Sequence, residues 1–283
     1  MSGELTGSLT EAERYRFEAE GFLVVERALP SAHVTVLRDA LAEAASEAVD
    51  YGSEHQGDDL LVASGQLRTV SNPLARCPSV LDAALHPGFF PKISDLFSER
   101  ARLLSNEYFV TPPRSSPRLS WHRDADERNY PGIDLADSLV TLNALVLLSD
   151  VGPQNGPTLA IPGSHRWAEQ RTVPSTAGDD PASLPGHVAL CGPAGSVVFF
   201  NSRLSHSQSR NDSDRERHVL VLVYGHRWMR AFDGYVPAGA AAAALADSPL
   251  TEQMLGLGPA FDAPSAAYEV PPRWRAAARA QRA

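Results

Sequence analysis

Cysteine, lysine and long apolar runs are what this 283-residue chain has least of, and each scarcity removes a class of function. Cys77 and Cys191 are too few and too far apart for a disulfide framework or a cysteine zinc site, so both are expected as reduced, buried thiols. Lys92 is the only lysine, and the formal net charge is −9. A general nucleic-acid binder needs a basic footprint that this balance does not provide. No uninterrupted apolar stretch reaches membrane-spanning length, and no basic segment leads into an apolar run at the amino terminus. The expectation is therefore a cytoplasmic protein with neither membrane nor nucleic-acid partners. No internal repeat is visible, and nothing in the sequence speaks to oligomeric state.

What is present is ordinary globular material, 43% hydrophobic and 21% charged, long enough to bury a substantial core. Residues 9 to 50 read as helix, strand, helix. Thr10 caps a first turn holding Glu11 and Glu13, Gly21 to Val25 form a short apolar strand, and Val34, Leu37 and Leu41 have helical spacing after Pro30-Ser31. Residues 79 to 98 look like further helix. From Leu103 onward the texture changes to short apolar runs broken by turn residues. Leu103–Val110, Leu119–Asp124, Leu139–Leu148, Thr158–Ile161, Ser196–Phe200 and His218–Tyr224 are the expected strands. The segment 167–186, rich in Pro, Ser, Thr, Gly and Asp, reads as a long loop, and the alanine run Ala240–Ala244 as a helix start near the surface. Six strands at this spacing predict a mainly β fold, a sandwich or barrel with flanking helices. No domain boundary is apparent, so residues 1–283 are read as one domain. Its parts are a helix-rich portion at about 9–100, a β core at about 103–230 and an extension at 231–283.

The chemistry concentrates in His122-Arg123-Asp124. A strand presents residues i and i+2 on one face, so His122 and Asp124 can enter one cavity together. With His206 from a distant strand they supply two imidazoles and a carboxylate to one face of a metal. That donor set, leaving other positions open, suits a non-haem Fe(II) oxygenase. Nine histidines make an isolated HxD weak by itself.

Three further segments strengthen it. Leu9–Phe17, Gly21–Val25 and Leu29-Pro30 resemble the opening of the phytanoyl-CoA dioxygenase family. Trp121-His122-Arg123-Asp124 resembles its iron-binding strand. The run from Gln154 through Asn155-Gly156-Pro157 to Pro162-Gly163-Ser164-His165-Arg166 is similar to its asparagine-glycine turn and Pro-Gly-Ser-His. His206, Asn211 and Arg217, followed by an apolar strand to Tyr224, resemble its carboxy-terminal segment. The likeness runs in order from about residue 9 to about 257. It implies a double-stranded β-helix (jelly-roll, cupin-like) core with Fe(II) and O2, and 2-oxoglutarate as cosubstrate. His122, Asp124 and His206 match the iron ligands, and Arg217 matches the arginine that binds the distal carboxylate of 2-oxoglutarate. A guanidinium fork suits that carboxylate. On this reading His206 and Arg217 lie on adjacent antiparallel strands joined by the turn 210–214. Thr141 and Asn143, alternating with Leu145 onto one strand face, are further expected cosubstrate contacts, and Asn106 and Tyr108 are candidates on an earlier strand. Gln208 stands where the family often has serine. Because Asp124 is present, where halogenating relatives carry a small residue, halogenation is not expected.

Each residue also has a plainer role. His165 is expected to brace a turn, His187, His218 and His226 to be structural, and Arg123, Arg210 and Arg215 to be solvated or near substrate. Two rivals stay open at this point: a cupin-like metal enzyme that does not use 2-oxoglutarate, and a non-catalytic jelly-roll binding protein. The arginine-rich, lysine-poor composition suits a GC-rich bacterium and a substrate that is a small, neutral or polyhydroxylated secondary-metabolite intermediate. The expected reaction is C–H oxidation, ending in hydroxylation, cyclisation, desaturation or epimerisation. Residues 53–65, 126–137, 167–186 and 226–234 are the expected substrate-facing loops.

Overall fold

The computed structural model describes residues 7–45, 49–50, 60–61, 67–116, 118–126, 130–131, 135, 138–168, 171–173, 180–232 and 234–258. Helix α1 (Glu11–Glu20) begins at the Thr10 cap expected from the sequence, and the structure completes it as a capping box. The Thr10 hydroxyl accepts from the Glu13 amide, and the Glu13 carboxylate returns a bond to the Thr10 amide. It ends at Gly21, whose φ of 85° is left-handed; a Cβ there would stand 2.4 Å from His165 Nδ1. Strand β1 (Phe22–Val25) and helix α2 (Ser31–Ala45) follow, then β2 (Val49–Asp50), β3 (Leu60–Leu61) and β4 (Arg68–Ser71). The expected helix at 79–98 is two helices, α3 (Ser79–Ala84) and α4 (Phe90–Leu96). Pro87 and Gly88 lie in the turn that divides them.

The remaining strands are β5 (Ala101–Thr111), β6 (Arg118–Leu119), β7 (Thr141–Leu147), β8 (Thr158–Ala160), β9 (Val188–Leu190), β10 (Val197–Asn201), β11 (His206–Gln208) and β12 (Arg217–His226). Helices α5 (Gly239–Leu245) and α6 (Pro249–Leu255) close the described chain. A seven-stranded antiparallel sheet has the order β1-β10-β7-β12-β5-β4-β2, and a second sheet has the order β11-β8-β9. This is the mainly β, jelly-roll architecture expected, with helices against one face of the larger sheet. Among the described residues no helix is long and apolar enough to cross a membrane.

The central strands are buried on both faces, which is why β7 and β10 read as nearly unbroken apolar runs. One face of the large sheet (Tyr108, Leu142, Ala144, Phe199, Leu220, Leu222) packs beneath the helices with Phe17, Leu41 and Ile93. The other face (Leu145, Leu147, Val198, Phe200, Val219) meets Ala160 and Leu190 of the small sheet. The gap left between the two sheets holds the site.

Three sequence expectations need correction. His122 makes only a single β-bridge, to His206, and Asp124 lies in a bend, so a continuous strand over 119–124 does not form. His206 and Arg217 are not on adjacent strands. β11 pairs with β8 in the small sheet, whereas β12 pairs with β5 and β7 in the large one. The segment between them is a crossover pinned by Asn211, whose side-chain amide donates to the carbonyls of Thr111, Pro112 and Arg215. Finally, Cys77 is buried but Cys191 is partly exposed; both are free thiols.

Candidate active site

His122 and His206 exchange both backbone hydrogen bonds, each at 3.0 Å, which sets their side chains side by side with ring centroids 4.2 Å apart. Asp124 is brought to them by the bend. Its amide and that of Ala125 both donate to the Ser202 carbonyl, at 2.9 and 3.0 Å. Each imidazole is oriented from behind. Nδ1 of His122 meets the Ser120 carbonyl and Nδ1 of His206 meets the Leu204 carbonyl, both at 2.9 Å. A carbonyl only accepts, so both Nδ1 atoms carry the proton and both Nε2 atoms present a lone pair. Those atoms lie 3.4 and 3.6 Å from the Asp124 carboxylate oxygens, and one donor atom from each residue falls within 4.8 Å of the others. Two outward lone pairs and a carboxylate converging on one point fit a divalent metal.

The electrostatics keep the set ready to bind. Burial pushes the His206 imidazole down to about 4, against the opposing pull of Asp124, so it is neutral at physiological pH. Burial alone raises the Asp124 carboxyl; the two histidines and the Asn143 amide outweigh it and hold the group below the usual carboxylate range. Asn143 Nδ2 donates directly to Asp124 Oδ2.

A cavity of about 670 Å³ extends from the triad between the sheets. Arg217 lies in its wall, 4% exposed, with Nη2 donating to Thr158 Oγ1 at 3.2 Å. Its Nε is buried without a partner, and burial pushes the guanidinium down to about 10. A cation held so deep, with a donor unspent, is arranged for an anion that enters the cavity.

The cavity also sorts the other candidates. Thr141, Asn143 and Leu145 share its wall as expected, but the first two stand at the metal end, not beside Arg217. The Thr141 hydroxyl bonds to Tyr130 and the Asn143 amide to Asp124. The hydroxyl at the guanidinium is that of Thr158, two residues after the asparagine-glycine turn, and sequence reasoning missed it. Gln208 also lines the cavity, donating to Thr111 Oγ1 at 2.7 Å. Asn106 and Tyr108 are corrected. Asn106 is spent on the Leu74 amide and the Tyr235 carbonyl, and Tyr108 bonds His218. Ser105, Glu107 and Phe109 take the cavity face of β5 in their place. Strand β5 is buried on one face and buried to half-buried on the other, so hydrophobic alternation gave no signal of which faced in.

His165 donates to the Glu18 carbonyl, and His226 bonds the Leu139 carbonyl, structural roles of the kind expected. Of the predicted loops, Tyr130 and Phe232 reach the cavity. Most of 53–65 and parts of 126–137 and 167–186 lie outside the described residues.

Comparison with known proteins agrees with this geometry. The chain is 23% identical over 256 residues to an ectoine dioxygenase of Bordetella bronchiseptica, covering 78% of this chain and 77% of that one. Among solved structures it resembles SnoK, a non-haem α-ketoglutarate-dependent carbocyclase from nogalamycin biosynthesis. That likeness has a TM-score of 0.58 and 26% identity, over 77% of this chain and 85% of that one. HygX from Streptomyces hygroscopicus, solved with nickel, 2-oxoglutarate and hygromycin B, shares the fold at a TM-score of 0.63 and 22% identity, over 82% and 96%. The family description phytanoyl-CoA dioxygenase (PhyH) matches residues 17–219. With most of its length matched and a His-Asp-His cluster in its cavity, this chain belongs to the phytanoyl-CoA dioxygenase family and is an Fe(II)- and 2-oxoglutarate-dependent dioxygenase.

Proposed function

We propose that His122, Asp124 and His206 hold the iron, that Arg217 with Thr158 binds the distal carboxylate of 2-oxoglutarate, and that the enzyme oxidises a C–H bond of a bacterial secondary-metabolite intermediate. The observation that carries this reading is the joint placement of two Nε2 lone pairs, one carboxylate and one buried, incompletely bonded guanidinium in a single cavity. When bound, Fe(II) with 2-oxoglutarate and O2 supplies an oxidant strong enough to take hydrogen from an unactivated carbon. The chain's own residues do the rest. The Ser120 and Leu204 carbonyls fix the imidazole tautomers, Asn143 orients the Asp124 carboxylate, and Arg217 anchors the cosubstrate. Apolar walls from Leu145, Phe200, Val219 and Val221 keep water away from the reacting centre.

The retained Asp124 argues against halogenation. The carbocyclase from nogalamycin biosynthesis supports a radical outcome on a natural product, and the ectoine dioxygenase supports plain oxygenation. The large sheet packs against the helices on one face and against the small sheet on the other, which supports treating the chain as one catalytic domain.

The test is anaerobic titration of Fe(II) and 2-oxoglutarate into the apoprotein, following the weak visible metal-to-ligand charge-transfer band. The band is expected in the wild type and absent from Arg217→Ala and His206→Ala. Iron binding without the band in the wild type sinks the cosubstrate assignment, and no iron binding sinks the triad.

A further inference from the structure

One carboxylate in the cavity has no task in that scheme. Glu107 points inward from the middle of β5, flanked across β12 by Val221 and beyond it by Leu145 of β7. Its carboxylate makes no hydrogen bond and no ion pair among the described residues. Among the described residues Arg217 is the only arginine or lysine lining the same cavity. Its β5 partner Thr111 is four residues from Glu107, about 13 Å along the strand. That guanidinium is directed at Thr158 and, on the reading above, at the cosubstrate. Burial and the negative charge of Asp124 push the Glu107 carboxyl up to about 7, as befits a carboxylate lacking a counterion.

Its surroundings are aromatic. Phe109 is the next residue on the same face of β5, and Tyr130, Phe232 and Tyr235 contribute to the same wall. Tyr235 is fixed by a bond to Ser71, on the β4 residue paired with Glu107. A buried carboxylate is stabilised by a partner that is cationic and donates hydrogen bonds, and aromatic faces attract the same charge. An anionic substrate meets the like charge of Glu107, and a purely apolar one leaves Glu107 desolvated and unpaired.

We propose that Glu107 is the substrate-recognition residue and that the substrate carries a protonated amine, seated between this carboxylate and the aromatic wall while its reacting carbon faces the His-Asp-His cluster. The inference rests on the function proposed above and narrows it from neutral or polyhydroxylated compounds to amine-bearing ones.

Calorimetry on the full chain, loaded anaerobically with Fe(II) and 2-oxoglutarate, tests it with two probes of one shape, cyclohexylammonium and cyclohexanol. The wild type is expected to bind the ammonium about tenfold more tightly, the scale of one charge-assisted contact. In Glu107→Gln the ratio falls to about one while the charge-transfer band persists. Equal binding of the two probes by wild type overturns the inference without any variant, so a poorly folding mutant cannot shelter it. Loss of the band in Glu107→Gln also overturns it, because Glu107 then serves the metal or cosubstrate. If the band is missing from wild type but the ammonium preference depends on Glu107, the cosubstrate reading fails and the amine site stands.

Discussion

At the residue scale, the site depends on groups that touch the metal ligands from behind as much as on the ligands. Asn143 is bonded to Asp124, and residues in that position typically contribute 10–100-fold to metal affinity. Asn143→Ala is therefore expected to weaken Fe(II) binding about 10–100-fold, measured by competition with a chelating dye, with an unchanged circular dichroism spectrum. Arg217 behaves differently in the two states of the site. Its folded value of about 10 lies below its ordinary value, so the charged guanidinium opposes folding in full at neutral pH, by about 3 kcal/mol, until a partner arrives. That penalty fades only as pH rises through 10. Arg217→Met is thus expected to make the apoprotein more resistant to urea while weakening 2-oxoglutarate binding roughly 30-fold or more. Denaturation of the apoprotein and calorimetry of the cosubstrate check the two halves separately.

At the element scale, the decisive features are short and irregular. The Pro-Gly-Ser-His segment is clamped to the end of α1. The Gly163 amide donates to the Glu20 carbonyl, His165 donates to the Glu18 carbonyl, and Gly21 leaves room for that imidazole. The Ser164 hydroxyl then accepts from the Ser205 amide beside His206, which links the clamp to the metal ligand. Gly21→Ala combines a left-handed φ with a clash against His165. It is expected to cost about 1–3 kcal/mol in chemical denaturation and to loosen iron binding through the Ser164–Ser205 contact. The β11–β12 crossover is another such element. Its polar residues suggested a hairpin turn, but Asn211 directs the chain from one sheet to the other.

At the scale of the whole molecule, the two sheets face each other across one cavity whose wall carries both the triad and Arg217, so the metal and the anion anchor share it. Occupancy of that cavity should stabilise the fold by mass action, by about 2.7 kcal/mol for a ligand at a hundred times its Kd. Anaerobic thermal melts are expected to show two increments in wild type, one for Fe(II) and one for 2-oxoglutarate. Arg217→Met keeps the first and loses the second. Equal increments in both proteins would place the cosubstrate away from Arg217.

Much of this was legible from residues alone. The HxD pair, the distant histidine, the asparagine-glycine turn and Arg217 are identities at spacings; short apolar runs divided by turns predict a sandwich or barrel, and the family resemblance narrows it to a jelly roll. The Thr10 cap of α1 and the short helix of the alanine run were read directly for the same reason, since local hydrogen bonding and propensity decide them. What sequence could not decide was pairing and facing. The β11 residues His206-Ser207-Gln208 carry no strand signature, and their partner strand is set by a crossover that only long-range contacts define. Thr158 reaches Arg217 because two sheets face each other, and Glu107 rather than Asn106 enters the cavity because its register places it beside Val221 and Leu145 on the inward face. Sequence specified which chemical groups the protein owns and their local order. The tertiary structure alone decided which of them share a cavity, because strand register and sheet assignment are settled by packing between segments far apart in the chain.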